Sequence, residues 1–184
     1  MIFAAPFLAG ALTILAAQNI APVNAPPPPS QHPPALASVD REFAVAAAAG
    51  NEAELDAARL AIARSTTDEV KAYAQKMLAE HGDIGMEAAP ATKPFLSGTP
   101  ALSEPDALAM QYLGSLGPVD FDQQYLLLQV GDHLAALTAF QTESRDGKDP
   151  ALKAFATKWT PTIESHLQLA IALAKHLSGD SPLK

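Results

Sequence analysis

Between residues 38 and 178, apolar side chains recur at steps of three and four along four long segments, and no stretch alternates Val, Ile and Thr as a half-buried strand does. A chain with that period can bury its apolar stripes only by laying helix against helix. Abundant alanine and few aromatics, 6% of the sequence, point the same way. The expected fold class is all-α.

The first predicted helix runs from Ser38, a suitable N-cap, to about Ser65. The second follows a very short turn at "TTDE", with Thr66 as N-cap and Glu69 as its capping-box partner, and continues to about Ala89. These two form an antiparallel hairpin. Residues 90–118 hold five prolines around a short helical piece near "PDALAMQYLGSL", a connection long enough to cross a bundle. The third helix runs from about Val119 to Asp146, stopped by Gly147 as a left-handed cap. The fourth starts at Asp149, with Pro150 in its first turn, and ends near Ser178. The domain is thus a four-helix bundle over residues 38–178, with a long connection between the second and third helices and a tail at 179–184.

Ahead of the domain, residues 1–17 form an uncharged apolar run of signal-peptide length ending in small residues, although no Lys or Arg precedes it. Residues 18–37 follow as a proline-rich linker, extended and polyproline-like, in which His32 has no assigned role. Export to the periplasm or outer cell envelope is the expectation, with an uncleaved membrane anchor as the competing reading. Cysteine is absent, which removes disulfides, thiolate metal sites and cysteine nucleophiles. The net charge of −8 is spread along the domain without a basic patch, which disfavours nucleic acid and anionic lipid surfaces. An envelope protein partner, or membrane association through the N-terminal segment, stays open.

Three histidines interrupt the apolar stripes. Val70, Ala74 and Met77 lead to His81; Leu126 and Val130 lead to His133; Leu152, Phe155, Trp159 and Ile163 lead to His166. The first helix has no histidine, but its stripe of Phe43, Ala47, Gly50 and Ala57 contains Glu54, a carboxylate that is costly there unless paired, protonated or metal-bound. A single inward histidine is more often a satisfied core residue than a ligand. If the core face is ~3/7 of each helix, three independent histidines all reach it with a probability of about 0.08, which argues for a joint role.

Axial level is a second check. At ~1.5 Å of rise per residue, Glu54 and His81 lie about 17 and 22 Å from the first turn, and His133 and His166 about 20 and 25 Å from the last. All four fall near mid-bundle, whichever end carries the last turn. Three neutral imidazoles and a carboxylate make a compact site for one divalent transition-metal ion, zinc, iron, copper or manganese. Glu80, Asp132 and Glu164 lie close to the histidines in sequence, but neighbouring helix positions point about 100° apart, so most read as surface charges. His176 reads as a helix-terminus cation outside the cluster. Pro161, a turn before His166, reads as curvature around the core, and Asp122 as a charge near the start of its helix.

In "EFAVAAAAGNEAELDAARLA", "EVKAYAQKMLAEH", "FDQQYLLLQVGDH" and "DPALKAFATKWTPTIESHL", taken in order, the chain resembles the domain of unknown function 4142 family over residues 38 to about 177. The resemblance implies a ferritin-like bundle and an exported bacterial protein of the cell envelope, without an established activity. Ferritin-like enzymes with two-metal sites carry Glu-x-x-His on each of two helices, and that spacing is absent here. A di-iron oxygenase or ferroxidase is disfavoured, and a single-metal site is left open. The sequence therefore carries three readings. First stands a metal-binding bundle using Glu54, His81, His133 and His166; second, a metal-free envelope interaction or stress-associated module with a buried His/Glu network. An enzyme using the cluster for acid–base or redox chemistry ranks below both.

Overall fold

The computed structural model describes residues 36–98 and 101–179, all within the unit Pro33–Lys184. The signal-peptide-like segment, the linker up to residue 35 with His32, and the tail from residue 180 lie outside the described residues. Five helices form: α1 (Leu36–Arg64), α2 (Asp68–Thr92), a short α3 (Glu104–Ser115), α4 (Pro118–Asp146) and α5 (Pro150–Leu177). A 3₁₀ turn, Lys93–Phe95, follows α2, and no strand occurs among the described residues. None of these helices is long and apolar enough to cross a membrane.

Contacts at the two ends give the connectivity. At one end Thr67 Oγ1 donates to Asp122 Oδ2 (2.5 Å), so the α1–α2 turn meets the start of α4. At the other, Asp40 Oδ1 accepts from the backbone N–H groups of Lys148 (2.7 Å) and Asp149 (3.2 Å), so the start of α1 meets the α4–α5 turn. The two tight turns therefore lie at opposite ends. It follows that α2 and α4 run parallel, and the connection between them crosses the length of the bundle, as in ferritin-like folds. Within that connection α3 packs on α1 and α4.

Local chemistry explains most boundaries. Asp149 caps α5 by accepting from Ala151 and Leu152 N–H, and Pro150 occupies the first turn, where its missing donor costs nothing. Ser103 caps α3 in the same way, accepting from Asp106 N–H. Arg64 donates to the carbonyls of Gly114 and Leu116, a cation answering the orphan acceptors at the C-terminus of α3.

Four local expectations are revised. The first helix already includes Leu36, so Ser38 lies inside it and is not its N-cap. Thr67, not Thr66, caps α2, and its hydroxyl reaches Asp122 instead of closing a capping box with Glu69. Asp122 thereby ties two helices together from the second turn of α4. Gly147 has φ −54, so it is not a left-handed cap; a Cβ there would meet the Glu143 carbonyl oxygen at 2.6 Å, and close approach is what requires glycine.

The apolar core falls into two clusters. One gathers Ala57, Val70, Met77, Phe121, Leu126 and Ala170 toward the α1–α2 turn. The other gathers Phe43, Ile84, Phe140, Leu152, Phe155 and Ile163 toward the α4–α5 turn. Within the second, Phe43 and Phe140 meet edge to face at 5.0 Å, worth roughly 0.5–1.5 kcal/mol beyond area burial. Small residues on α1, Ala44, Ala57, Ala58 and Ala61, are almost fully buried and let its neighbours approach closely. Between the clusters each long helix contributes polar side chains.

Candidate metal centre

That polar layer consists of Asn51 and Glu54 from α1, His81 from α2, Gln129 and His133 from α4, and His166 from α5, all buried. His81, His133 and His166 are brought together, each ring offering a nitrogen within 4.8 Å of the others. His133 Nε2 lies 3.4 Å from His81 Nε2 and 3.2 Å from His166 Nδ1. An edge of a tetrahedron with metal–nitrogen bonds of 2.0–2.1 Å is about 3.3–3.4 Å, so the two edges that meet at His133 already stand at ligand spacing, and the third, between His81 and His166, lies within 4.8 Å.

The outer nitrogens decide which tautomers face inward. His133 Nδ1 donates to the Gln129 backbone carbonyl (3.0 Å), a group that can only accept. His166 Nε2 donates to Glu80 Oε2 (2.5 Å), and His81 Nδ1 donates to Asn51 Oδ1 (3.1 Å). With each ring proton committed outward, His81 Nε2, His133 Nε2 and His166 Nδ1 all present lone pairs to one another. Three lone pairs at this spacing repel unless a cation lies among them. A metal-ligating histidine ordinarily has its other nitrogen held by a carboxylate or carbonyl in this way.

Burial acts on the charges to the same effect. It pushes His133 down to about 4 despite the Gln129 carbonyl, and His166 down to about 4 despite the Glu80 carboxylate. His81 is driven well below its ordinary value by burial and by its two neighbours. The rings are thus neutral, the form that binds metal. Burial works to raise Glu80, but its bonds to His166 and Lys76 outweigh this and keep it below the usual carboxylate range.

Glu54 stands apart from the convergence point. Its Oε1 lies 3.6 Å from the outer nitrogen of His133, and its Oε2 accepts from Gln129 Nε2 (2.6 Å). Gln129 Oε1 in turn accepts from the Tyr73 hydroxyl (2.9 Å). The expectation of a fourth group aimed at the same point as the rings is therefore revised, and Glu54 joins the layer from behind His133. Burial, opposed by Gln129 and helped by Asp106, pushes it up to about 7.

Glu80 is also revised, from surface charge to hydrogen-bond partner of His166, whereas Glu164 is exposed as expected. Asp132 is half-buried, and burial with the nearby Glu54 and Asp106 pushes it up to about 7. His176 lies in the last turn of α5, away from the triad. Asn51 and Gln129 were not singled out in the sequence. The available signal was position: Gln129 precedes His133 by four residues, and Asn51 precedes Glu54 by three, on the same buried faces.

Fold and site together define a class: a helical bundle with one crossover, carrying a buried tri-histidine cluster between two apolar halves. Within that class the chain belongs to the family described as Domain of unknown function (DUF4142), whose model matches residues 25–173. No curated protein and no solved structure matches it.

Proposed function

We propose that this bundle binds one divalent transition-metal ion through His81 Nε2, His133 Nε2 and His166 Nδ1. The observation that carries the reading is the triad of inward lone pairs, each fixed by an acceptor on the far side of its ring. Neutral imidazoles suit zinc, copper or iron better than magnesium or calcium, which prefer oxygen. Glu80 behind His166 and Glu54 behind His133 offset the charge that a buried cation brings. Three protein ligands leave a further coordination position for water or a small ligand. The apolar N-terminal run supports placing this activity in the periplasm or outer cell envelope, for sensing, storage or structural purposes.

The test is elemental analysis of protein purified from its native compartment, beside a variant with all three histidines changed to alanine. About one equivalent of metal in the wild type and none in the variant is expected. Absence of stoichiometric metal in the wild type, with no thermal shift on adding zinc, iron, copper or manganese, overturns the reading.

A second reading rests on the chain Tyr73–Gln129–Glu54, which continues the polar layer without needing a metal. On it, the His/Glu network of a metal-free envelope interaction or stress-associated module fixes helix register. That reading predicts unchanged stability on treatment with a chelator.

A further inference from the structure

At the end of the bundle that carries the α4–α5 turn, α1 and α4 each bury an acid that the metal reading does not use. Asp40, on α1, is 5% exposed, and Glu143, on α4, is fully buried. The Asp40 carboxyl is fastened to the turn, its Oδ1 accepting from the backbone N–H groups of Lys148 (2.7 Å) and Asp149 (3.2 Å). Glu143 has no such donors. Among the described residues no N–H or hydroxyl reaches either of its oxygens, and the side chain within hydrogen-bonding reach is Asp40, itself a carboxyl.

Two carboxylates cannot both keep their charge side by side in a buried site unless a cation lies between them. The packing decides which cation. Glu143 folds back against Gly147, where an added Cβ would overlap its Oε1, so a metal ion with its ligands has no room. A proton needs none. The charges facing Glu143 agree: Asp40 on α1 and Asp149 at the start of α5 favour its protonated form, and Lys153 on α5, whose ammonium donates to the Arg145 carbonyl, opposes them. On α4 itself, Arg145 and Asp146 are exposed and paired with each other.

We propose that Asp40 and Glu143 share one proton as a latch that fastens the first turns of α1 to the α4–α5 turn, and that loss of this proton lets that end of the bundle open. The two buried negative charges then repel, and separation returns both to water. Phe43, one turn further along α1, stays edge to face on Phe140 and bounds the opening. The closed latch keeps its proton up to about pH 7, whereas in the open form Glu143 returns to its ordinary 4.5. The opening constant therefore rises with pH between these limits, by up to about tenfold per unit, and levels off above them. Acid closes the latch, and base loosens it.

The test is native-state hydrogen exchange, read by NMR on the full ¹⁵N-labelled chain with chelator present, so that failure here and failure of the metal reading are separate outcomes. The protection factors of the Lys148 and Asp149 amides, corrected for intrinsic exchange, should fall about tenfold or more between pH 5.5 and pH 8. At pH 8 they should lie at least about tenfold below those of Met77 and Leu126, in the other apolar cluster, and depend little on low urea, as a local opening requires. Glu143→Gln, whose amide donates to Asp40 at every pH, should keep both amides protected throughout. Asp40→Asn removes one of the two charges and should give lower but flat protection. Protection at Lys148 and Asp149 that is unchanged with pH, or equal to that at Met77 and Leu126, overturns the proposal, as does a fall that persists in Glu143→Gln.

Discussion

At the residue scale, the positions of protons decide what the triad can do. Glu80 is the one charged acceptor bonded to the outer nitrogen of a triad ring, and it fixes His166 with Nδ1 inward. Glu80→Gln should weaken zinc binding by about 10–100-fold, whereas Glu164→Gln, on an exposed position nearby in sequence, should change it little; competition with a chromophoric chelator measures both. In metal-free protein His133 and His166 have folded values near 4, below the ordinary 6.5. The unfolded chain therefore binds more protons between those limits, and the histidine contribution to stability, complete above about 6.5, is lost as pH falls toward 4. NMR titration of the ring protons should place their midpoints near pH 4. Glu143 carries the opposite sign. Burial, and then the charge of the Asp40 carboxyl beside it, push it up to about 7. Its folded form holds a proton that the unfolded chain releases between 4.5 and 7, so stability falls as pH rises through that window. Glu143→Gln should raise Tm by about 2–5 °C at pH 8 and change it little at pH 5.

At the element scale, the four long helices were legible because a period of 3.6 survives over seven or eight turns. Their ends were less so. A cap depends on which nearby acceptor a hydroxyl or carboxylate chooses, and Thr67 chose Asp122, 55 positions away, over its own helix. Gly147 was recognised as a stop signal, but its reason is the Glu143 carbonyl and side chain, not a positive φ. Gly147→Ala should therefore destabilise the protein by about 1–3 kcal/mol through overlap. Gly131→Ala, on an exposed position of α4 with nothing within 4 Å of the new Cβ, should stabilise it by about 0.5–1 kcal/mol. Urea unfolding of both variants separates the two kinds of glycine.

At the scale of the whole molecule, the polar layer lies between two apolar clusters and draws on all four long helices. A ligand held by α2, α4 and α5 at once binds the folded chain and not the unfolded one. At a free metal concentration about 1,000 times Kd, it adds about 4 kcal/mol of stability. Differential scanning calorimetry should show Tm rising on metal addition and falling on chelation. The variant with all three histidines changed to alanine should show neither.

The sequence alone determined the fold class, the number of long helices, and the histidines as members of their buried faces. These follow from short-range periodicity, which any window of a dozen residues contains. It also placed Glu54 and the histidines near one level, because rise per residue is fixed. Only the tertiary structure decided that the two tight turns lie at opposite ends, and that Glu54 stands behind His133 instead of beside the rings. Only it revealed Asn51, Gln129 and Glu80 as the acceptors that orient the three imidazoles. Two of these three bonds join different helices, Asn51 to His81 and Glu80 to His166, and whether such groups meet depends on helix rotation to within a few tens of degrees. A hydrophobic stripe spans about 100° or more, so it says which side of a helix is buried and leaves the direction of each polar atom to the packing.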